Sequence, residues 1–208
     1  MTGVRFFNGF TKVTGWLPEK LIFRTKVYYE DKAVQGRRIK GPAIFVCNHT
    51  ALFDYAALLF VFFFRTIRVQ MAEVLYEKKL LGWYLRPMGG IRVNRVTHDF
   101  SFMEESERIL RAGGVVGIFP ESRLPKKDEA RPLPFTSTAA VISLSSGVPV
   151  IPVYTNGAYF TKARARVVIG KPVDLSSLYD TGKSETDNVT FLTNLLRERV
   201  IELEKYIR

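Results

Sequence analysis

A histidine and an aspartate stand five positions apart in Asn48-His49-Thr50-Ala51-Leu52-Phe53-Asp54. An imidazole held through one ring nitrogen by a carboxylate keeps its other nitrogen free to accept a proton, the division of labour a general base requires. The stretch follows an apolar run, Ala43-Ile44-Phe45-Val46-Cys47, and precedes a helix-like run from Tyr55 to Phe64. A strand that stops and a helix that starts put His49 in the turn between them, where α/β sheets carry their ligands. On one regular helix a spacing of five would rotate the two side chains apart. With His49 just outside the helix, Asp54 can reach back to it. Cys47, the only cysteine, offers a rival nucleophile. On a strand it points to the same side as His49, and a Cys-His couple could form a covalent intermediate. Its other reading is a small buried residue at a strand end.

Three further stretches carry polar chemistry or unusual backbone. Gly89-Gly90-Ile91-Arg92-Val93-Asn94-Arg95 closes a short apolar run with two arginines, and Ile118-Phe119-Pro120-Glu121-Ser122-Arg123 closes another with a carboxylate and an arginine. Val148-Pro149-Val150-Ile151-Pro152-Val153 is an apolar run interrupted twice by proline.

The elements that must position these residues alternate along the chain. Strand-like runs fall at 43–47, 67–72, 91–94, 115–119 and 148–153, with another near 164–169. Helix-like segments fall at about 51–64, 73–86, 98–111 and 136–146. The helix over 98–111 has Thr97 as its N-cap, His98 in its first turn, and Ala112-Gly113-Gly114 as its stop signal. From Asp187 to Ile207, Val189, Leu192, Leu196, Val200, Leu203 and Ile207 recur at helical spacing. The pattern predicts an α/β fold: one central mixed, largely parallel sheet flanked by helices, preceded by an N-terminal amphipathic helical segment.

At 208 residues, 47% hydrophobic and 25% charged, the chain suits one folded core rather than disorder. A single cysteine excludes an internal disulfide and a cysteine-built metal site, and points to a reducing compartment. No secretory leader is expected at the N-terminus. The formal net charge is +11, and residues 1–40 hold nine lysines and arginines against three acids. The same forty residues carry Phe6, Phe7, Phe10, Trp16, Leu17, Leu21, Ile22 and Phe23. Bulky apolar groups among cations suit an anionic membrane surface. A packed, basic helical hairpin with no membrane role is the competing reading. No recognisable nucleic-acid module is present, so nucleic acid is not the expected partner. No run reaches the roughly 18 apolar residues needed to span a bilayer. The expected organisation is a membrane-associating segment over 1–40 and a catalytic domain over 41–208, peripheral to a membrane on its cytoplasmic face.

In this order the blocks resemble the glycerolipid acyltransferase family, which includes the 1-acyl-glycerol-3-phosphate acyltransferases. The likeness covers about residues 40–172. Asn48, His49 and Asp54 match the first block, Asn-His-(four residues)-Asp. Arg95 matches the end of the second, and Phe119, Pro120, Glu121 and Arg123 the third, with Ser122 where glycine is usual. Val148 to Val153 matches the fourth, and Val168 to Pro172 the stretch that closes the family core. Phe135-Thr136-Ser137-Thr138 lacks the lysine and glycine that members often place there.

The resemblance implies acyl transfer from acyl-CoA or acyl carrier protein as cosubstrate, with no resident cofactor and no metal. The acceptor it implies is a phosphorylated lysolipid, converted to phosphatidate. His49 and Asp54 would be the catalytic pair, with Glu121 in a supporting role. Asn48 would fix the turn, and Arg95, Ser122 and Arg123 would serve acceptor binding. Backbone amides at the start of the helix after His49 are the expected oxyanion donors. Transfer to glycerol 3-phosphate or to another lipid-like acceptor, and a catalytically silent lipid-binding protein, remain open alternatives.

Overall fold

The computed structural model describes residues 2–94 and 99–207. Helix α1 (Thr2–Ile22) leads into strand β1 (Lys26–Tyr29), then β2 (Ala43–Cys47), α2 (Asp54–Val61), β3 (Ile67–Ala72), α3 (Val74–Glu77), α4 (Lys79–Met88) and β4 (Ile91–Val93). There follow α5 (Ser101–Arg111), β5 (Val115–Ile118), α6 (Thr138–Ser146), β6 (Val150–Thr155), β7 (Arg166–Ile169) and α7 (Glu185–Glu202). The seven strands form one sheet in the order β1-β7-β6-β2-β5-β3-β4. Every neighbouring pair is parallel except β6 with β7. The expected mixed, largely parallel sheet is therefore present.

Central parallel strands are buried on both faces and so read as unbroken apolar runs. All five residues of β2 are buried. Ala43, Phe45 and Cys47 turn to the layer holding α2, α3 and α4, where they meet Leu58, Leu59, Phe62 and Met88. Ile44 and Val46 turn the other way, against Ile109 of α5, Ile142 of α6 and Leu192, Leu196 and Val200 of α7. The last helix buries Leu192, Leu196 and Val200 of the expected stripe, and Leu203 is buried in the 3-10 turn that follows. Val189 and Ile207 are half-buried. Ser184 caps the helix by accepting from the Asp187 amide at 3.1 Å.

Four expectations need correction. The segment over 73–86 is two helices, because the chain turns extended at Lys78. Gly82 makes this fold-back feasible: a Cβ there would lie 2.2 Å from the Tyr76 carbonyl oxygen. The strand expected at 148–153 runs over 150–155. The first forty residues contain no helical hairpin; they hold one helix and the sheet's edge strand, β1, paired in parallel with β7. The helix after β4 begins at Ser101, whose amide donates to Asp99 at 2.8 Å. Its expected cap, Thr97, lies outside the described residues, as do His98 and Arg95.

Helix α1 packs inside out. Its buried residues are Asn8, Lys12 and Glu19, while Phe6, Phe10, Val13, Trp16, Leu17, Leu21 and Ile22 are exposed, Phe6 to 74%. Lys12 holds the helix down by donating from Nζ to the carbonyls of Phe62 and Arg65, beyond the end of α2. Asn8 donates to the Met88 carbonyl at 3.2 Å. Among the described residues no helix is long and apolar enough to cross a membrane.

Candidate active site

The site is built at the carboxyl ends of three adjacent strands, β6, β2 and β5. Asn48, just past β2, uses its side-chain amide to continue the sheet: Nδ2 donates to the Thr155 carbonyl and Oδ1 accepts from the Thr155 amide, each at 2.8 Å. That pair of bonds ties the turn in which His49 stands to the end of β6.

Asp54 opens α2 and is fully buried. Its Oδ2 lies 2.8 Å from His49 Nδ1 and accepts from the amides of Thr50 and Ala51 at 2.6 and 2.9 Å. Its Oδ1 accepts from Thr50 Oγ1 and Tyr159 OH, both at 2.8 Å. Five donors on one carboxylate fix its orientation. The proton on the imidazole side is therefore assigned to Nδ1, which leaves Nε2 as the basic nitrogen. No described residue hydrogen-bonds Nε2. The ring stacks on Phe119 at 4.4 Å between centroids, and one-fifth of the side chain remains open to solvent. The geometry is that of an oriented general base.

The Thr50 and Ala51 amides are thereby committed to Asp54. They are not free for an oxyanion, which corrects the expectation placed on the first amides after His49.

Glu121 follows β5 and is 5% exposed. Its Oε1 accepts from the His49 amide and its Oε2 from the Leu133 amide, both at 2.7 Å. It thus ties the turn bearing His49 to the 131–133 loop, which Arg197 of α7 grips by donating to the carbonyls of Pro132 and Leu133. Burial pushes the Glu121 carboxyl above its ordinary value, opposed by the two amides. Glu121 positions His49 through the backbone and does not touch its ring. Ser122 takes φ 60°, the left-handed backbone that glycine adopts without cost, so serine bears strain here. Arg123 is half exposed, and Glu129 fills its fork with contacts of 2.6 and 2.8 Å.

Two site residues escaped the sequence reading, Tyr159 and Thr50. Tyr159 lies 105 positions from its carboxylate partner, Asp54. Burial first, and then the Asp54 charge, push its phenol far above the ordinary value, so it stays a donor. Gly157 lets its loop pass over the site: φ is +64° and a Cβ would lie 2.3 Å from Thr50 Oγ1. Thr50 sits inside the first motif, but its spacing to Asp54 resembles any exposed helix-start threonine. Cys47 is wholly buried in the core, and burial, with Asp54 and Glu121 nearby, pushes its thiol well up. A buried protonated thiol is inert as a nucleophile.

The site's rim is aromatic. Phe53 and Phe160 meet edge-on at 4.7 Å, and Phe23, just past α1, packs against both. Phe53 and Phe160 are exposed. The exposed apolar stripe of α1 therefore continues to the mouth of the His49 site.

An α/β sheet of this kind has counterparts among known proteins. The sequence profile of the Acyltransferase family matches residues 24–156. The chain belongs to that family and is an acyltransferase. It is similar to the 1-acyl-sn-glycerol-3-phosphate acyltransferase of Bacillus subtilis strain 168, with 23% identity over 166 residues, covering 77% of this chain and 80% of the relative. The enzyme of the same name from Haemophilus influenzae is 24% identical over 196 residues, covering 89% and 79%. Among solved structures, the 1-acyl-sn-glycerophosphate acyltransferase of Thermotoga maritima shares the fold at a TM-score of 0.65 and 22% identity, covering 97% of this chain and 79% of that one.

Proposed function

We propose that the protein moves a fatty acyl group from an acyl thioester, acyl-CoA or acyl carrier protein, to the hydroxyl of 1-acyl-glycerol 3-phosphate, giving phosphatidate. The observation that carries this reading is His49, bonded through Nδ1 to a saturated carboxylate and open at Nε2. Nε2 takes the acceptor's hydroxyl proton as the oxygen attacks the thioester carbonyl. The C–S bond of the tetrahedral intermediate then breaks, and the imidazolium returns the proton to the leaving sulfur. No acyl group is attached to the protein, and Cys47 takes no part. Arg95 and Arg123 bind the acceptor's phosphate; Arg123 exchanges Glu129 for it, a low-cost step for a surface ion pair. Ser122 sets the direction in which Arg123 leaves the turn.

The reaction takes place on a membrane. Seven large apolar side chains turn outward along α1, with Leu80 and Trp83 of α4 exposed beside them. Phe7 on α1 meets Tyr84 on α4 edge-on at 5.9 Å, so the two exposed sets adjoin. An exposed apolar surface of this extent, flanked by cations, fits an anionic bilayer, and it ends at the aromatic rim where an acceptor lipid would enter. Acyl thioesters reach the site from the cytoplasmic face.

An acyl-transfer assay on 1-acyl-glycerol 3-phosphate and 1-acyl-glycerol, with acyl-CoA and acyl carrier protein as donors, tests the substrate reading. A charge-assisted contact is worth about 1.5–3 kcal/mol, so the phosphorylated acceptor should be favoured roughly ten-fold or more. Arg123→Ala should remove much of that preference through KM. Equal use of the two acceptors by the wild type would overturn the phosphate assignment.

A further inference from the structure

A sizeable concavity lies away from the His49 site. A cavity of about 790 Å³ opens at the other end of the sheet, lined by Lys40 and Gly41 before β2, Arg65 and Thr66 before β3, and Gly113 and Gly114 before β5. Ligand sites of parallel sheets normally lie at the carboxyl ends of the strands. The turn at Gly41 and the turn at His49 flank β2 and are eight residues apart, about 26 Å at ~3.3 Å per residue, so a phosphate held in the cavity is remote from the imidazole.

Its lining is basic throughout. Arg5, Arg38, Lys40, Arg65, Arg68 and Arg108 face it, and the lining contains no acid. Glu105 stands behind the wall and pairs with both Arg68 and Arg108. Arg65 shapes the floor by donating to the carbonyls of Gly41 and Gly113, each at 2.8 Å, which joins two strand entrances. Burial, and then the like charge of Arg5, push its guanidinium below its ordinary value. Arg5, Arg38 and Lys40 form no ion pair among the described residues. Arg68 and Arg108 share one carboxylate, that of Glu105, so the six cations carry a large excess of positive charge that repels itself, and a multivalent anion relieves that repulsion.

We propose that this cavity is a binding site for a phosphate-bearing anion, separate from the acyl-transfer site. The chemistry is shared by a phospholipid headgroup and a free phosphate ester. Arg5 borders the cavity from α1, next to the outward-facing Phe6, and the exposed Phe64 also lines it. A phosphate seated there can belong to a lipid whose chains lie along the apolar stripe.

Two probes separate the sources: pyrophosphate, titrated calorimetrically, and phosphatidylcholine vesicles doped with phosphatidate, by co-sedimentation. The proteins are the wild type, Arg38→Ser/Lys40→Ser, and Lys183→Ser/Lys205→Ser, which loses the same charge from exposed positions outside the cavity and outside the α1–α4 surface. The cavity variant should bind at least one probe roughly ten-fold or more weakly, with the control near wild type. A loss on both probes assigns the site to phosphate esters in general, and a loss on vesicles alone assigns it to the lipid headgroup. If the cavity variant matches the control on both probes, including the case where the wild type binds neither, the site does not exist.

Discussion

Two of the buried polar clusters in this molecule, one beneath His49 and one beneath α1, are built differently. Beneath His49, every oxygen of Asp54 is engaged, with five donors converging on it. Beneath α1, Lys12 buries an ammonium on two carbonyls, and Asn8 Oδ1 has no partner among the described residues. A saturated network selects one geometry, whereas an incompletely satisfied one costs free energy. The first arrangement fixes an imidazole. The second turns polar atoms inward so that Phe6, Phe10, Val13, Trp16, Leu17, Leu21 and Ile22 can face out. That exchange is unfavourable in water, and the membrane role proposed for α1 would offset it.

The strongest way to break the comparison is at the site itself. His49→Ala should lower acyl transfer by about 10²–10⁴ while leaving the unfolding transition in place, because no other described group stands ready to take the proton. Asp54→Asn should approach the same loss, since an amide presents one acceptor oxygen where five donors now converge on two. Turnover within a few-fold of wild type in a folded His49→Ala protein would remove the mechanism.

The inner face of α1 is tested by pH. Burial pushes the Lys12 ammonium down to about 8 from its ordinary 10.5. Below pH 8 the residue is charged in both folded and unfolded chains and its burial cost is present in full. Between about 8 and 10.5 the native state releases the proton first, so stability should rise with pH across that window, by roughly 3 kcal/mol. Denaturant melts of wild type against Lys12→Met isolate the slope; parallel curves would show that Lys12 does not titrate there.

The outer face should respond in the opposite sense. Phe10→Asp or Leu17→Asp removes about 1.5–3 kcal/mol of apolar burial in lipid and should weaken vesicle binding about ten-fold or more. Stability in water should not fall. A drop in the melting temperature with unchanged vesicle binding would show that these side chains serve packing.

Much of the site could be read before any coordinates because its chemistry is local. His49 and Asp54 lie within one strand-turn-helix, where their spacing was readable, whereas Glu121, just past the neighbouring strand, was singled out by the family resemblance. The sheet was legible where its strands are buried on both faces, as in Ala43–Cys47. It was not legible at Lys26–Tyr29, an edge strand of four residues with no alternation. The inversion of α1 was hidden as well, since a helical stripe shows amphipathicity but not which face meets the protein. The occupied fork of Arg123 depends on Glu129 across a turn, and Asp54's phenol donor comes from the far end of the chain; neither leaves a periodic signal.

The smallest expected effect concerns that distant donor. Tyr159→Phe keeps the ring that packs between Phe23 and Phe53 and removes only the hydroxyl on Asp54 Oδ1. Four donors remain, including both backbone amides, so the carboxylate keeps its place. A hydrogen bond to a charged group is worth about 1.5–3 kcal/mol, and the lower end applies where the acceptor is already well served. The variant should therefore lose roughly 1.5 kcal/mol of stability and a few-fold in kcat, with KM for acceptor unchanged, because the hydroxyl acts on the orientation of His49 through Asp54. A loss in kcat as large as that of Asp54→Asn would mean that the network is not redundant and that Tyr159 alone sets the position of the carboxylate.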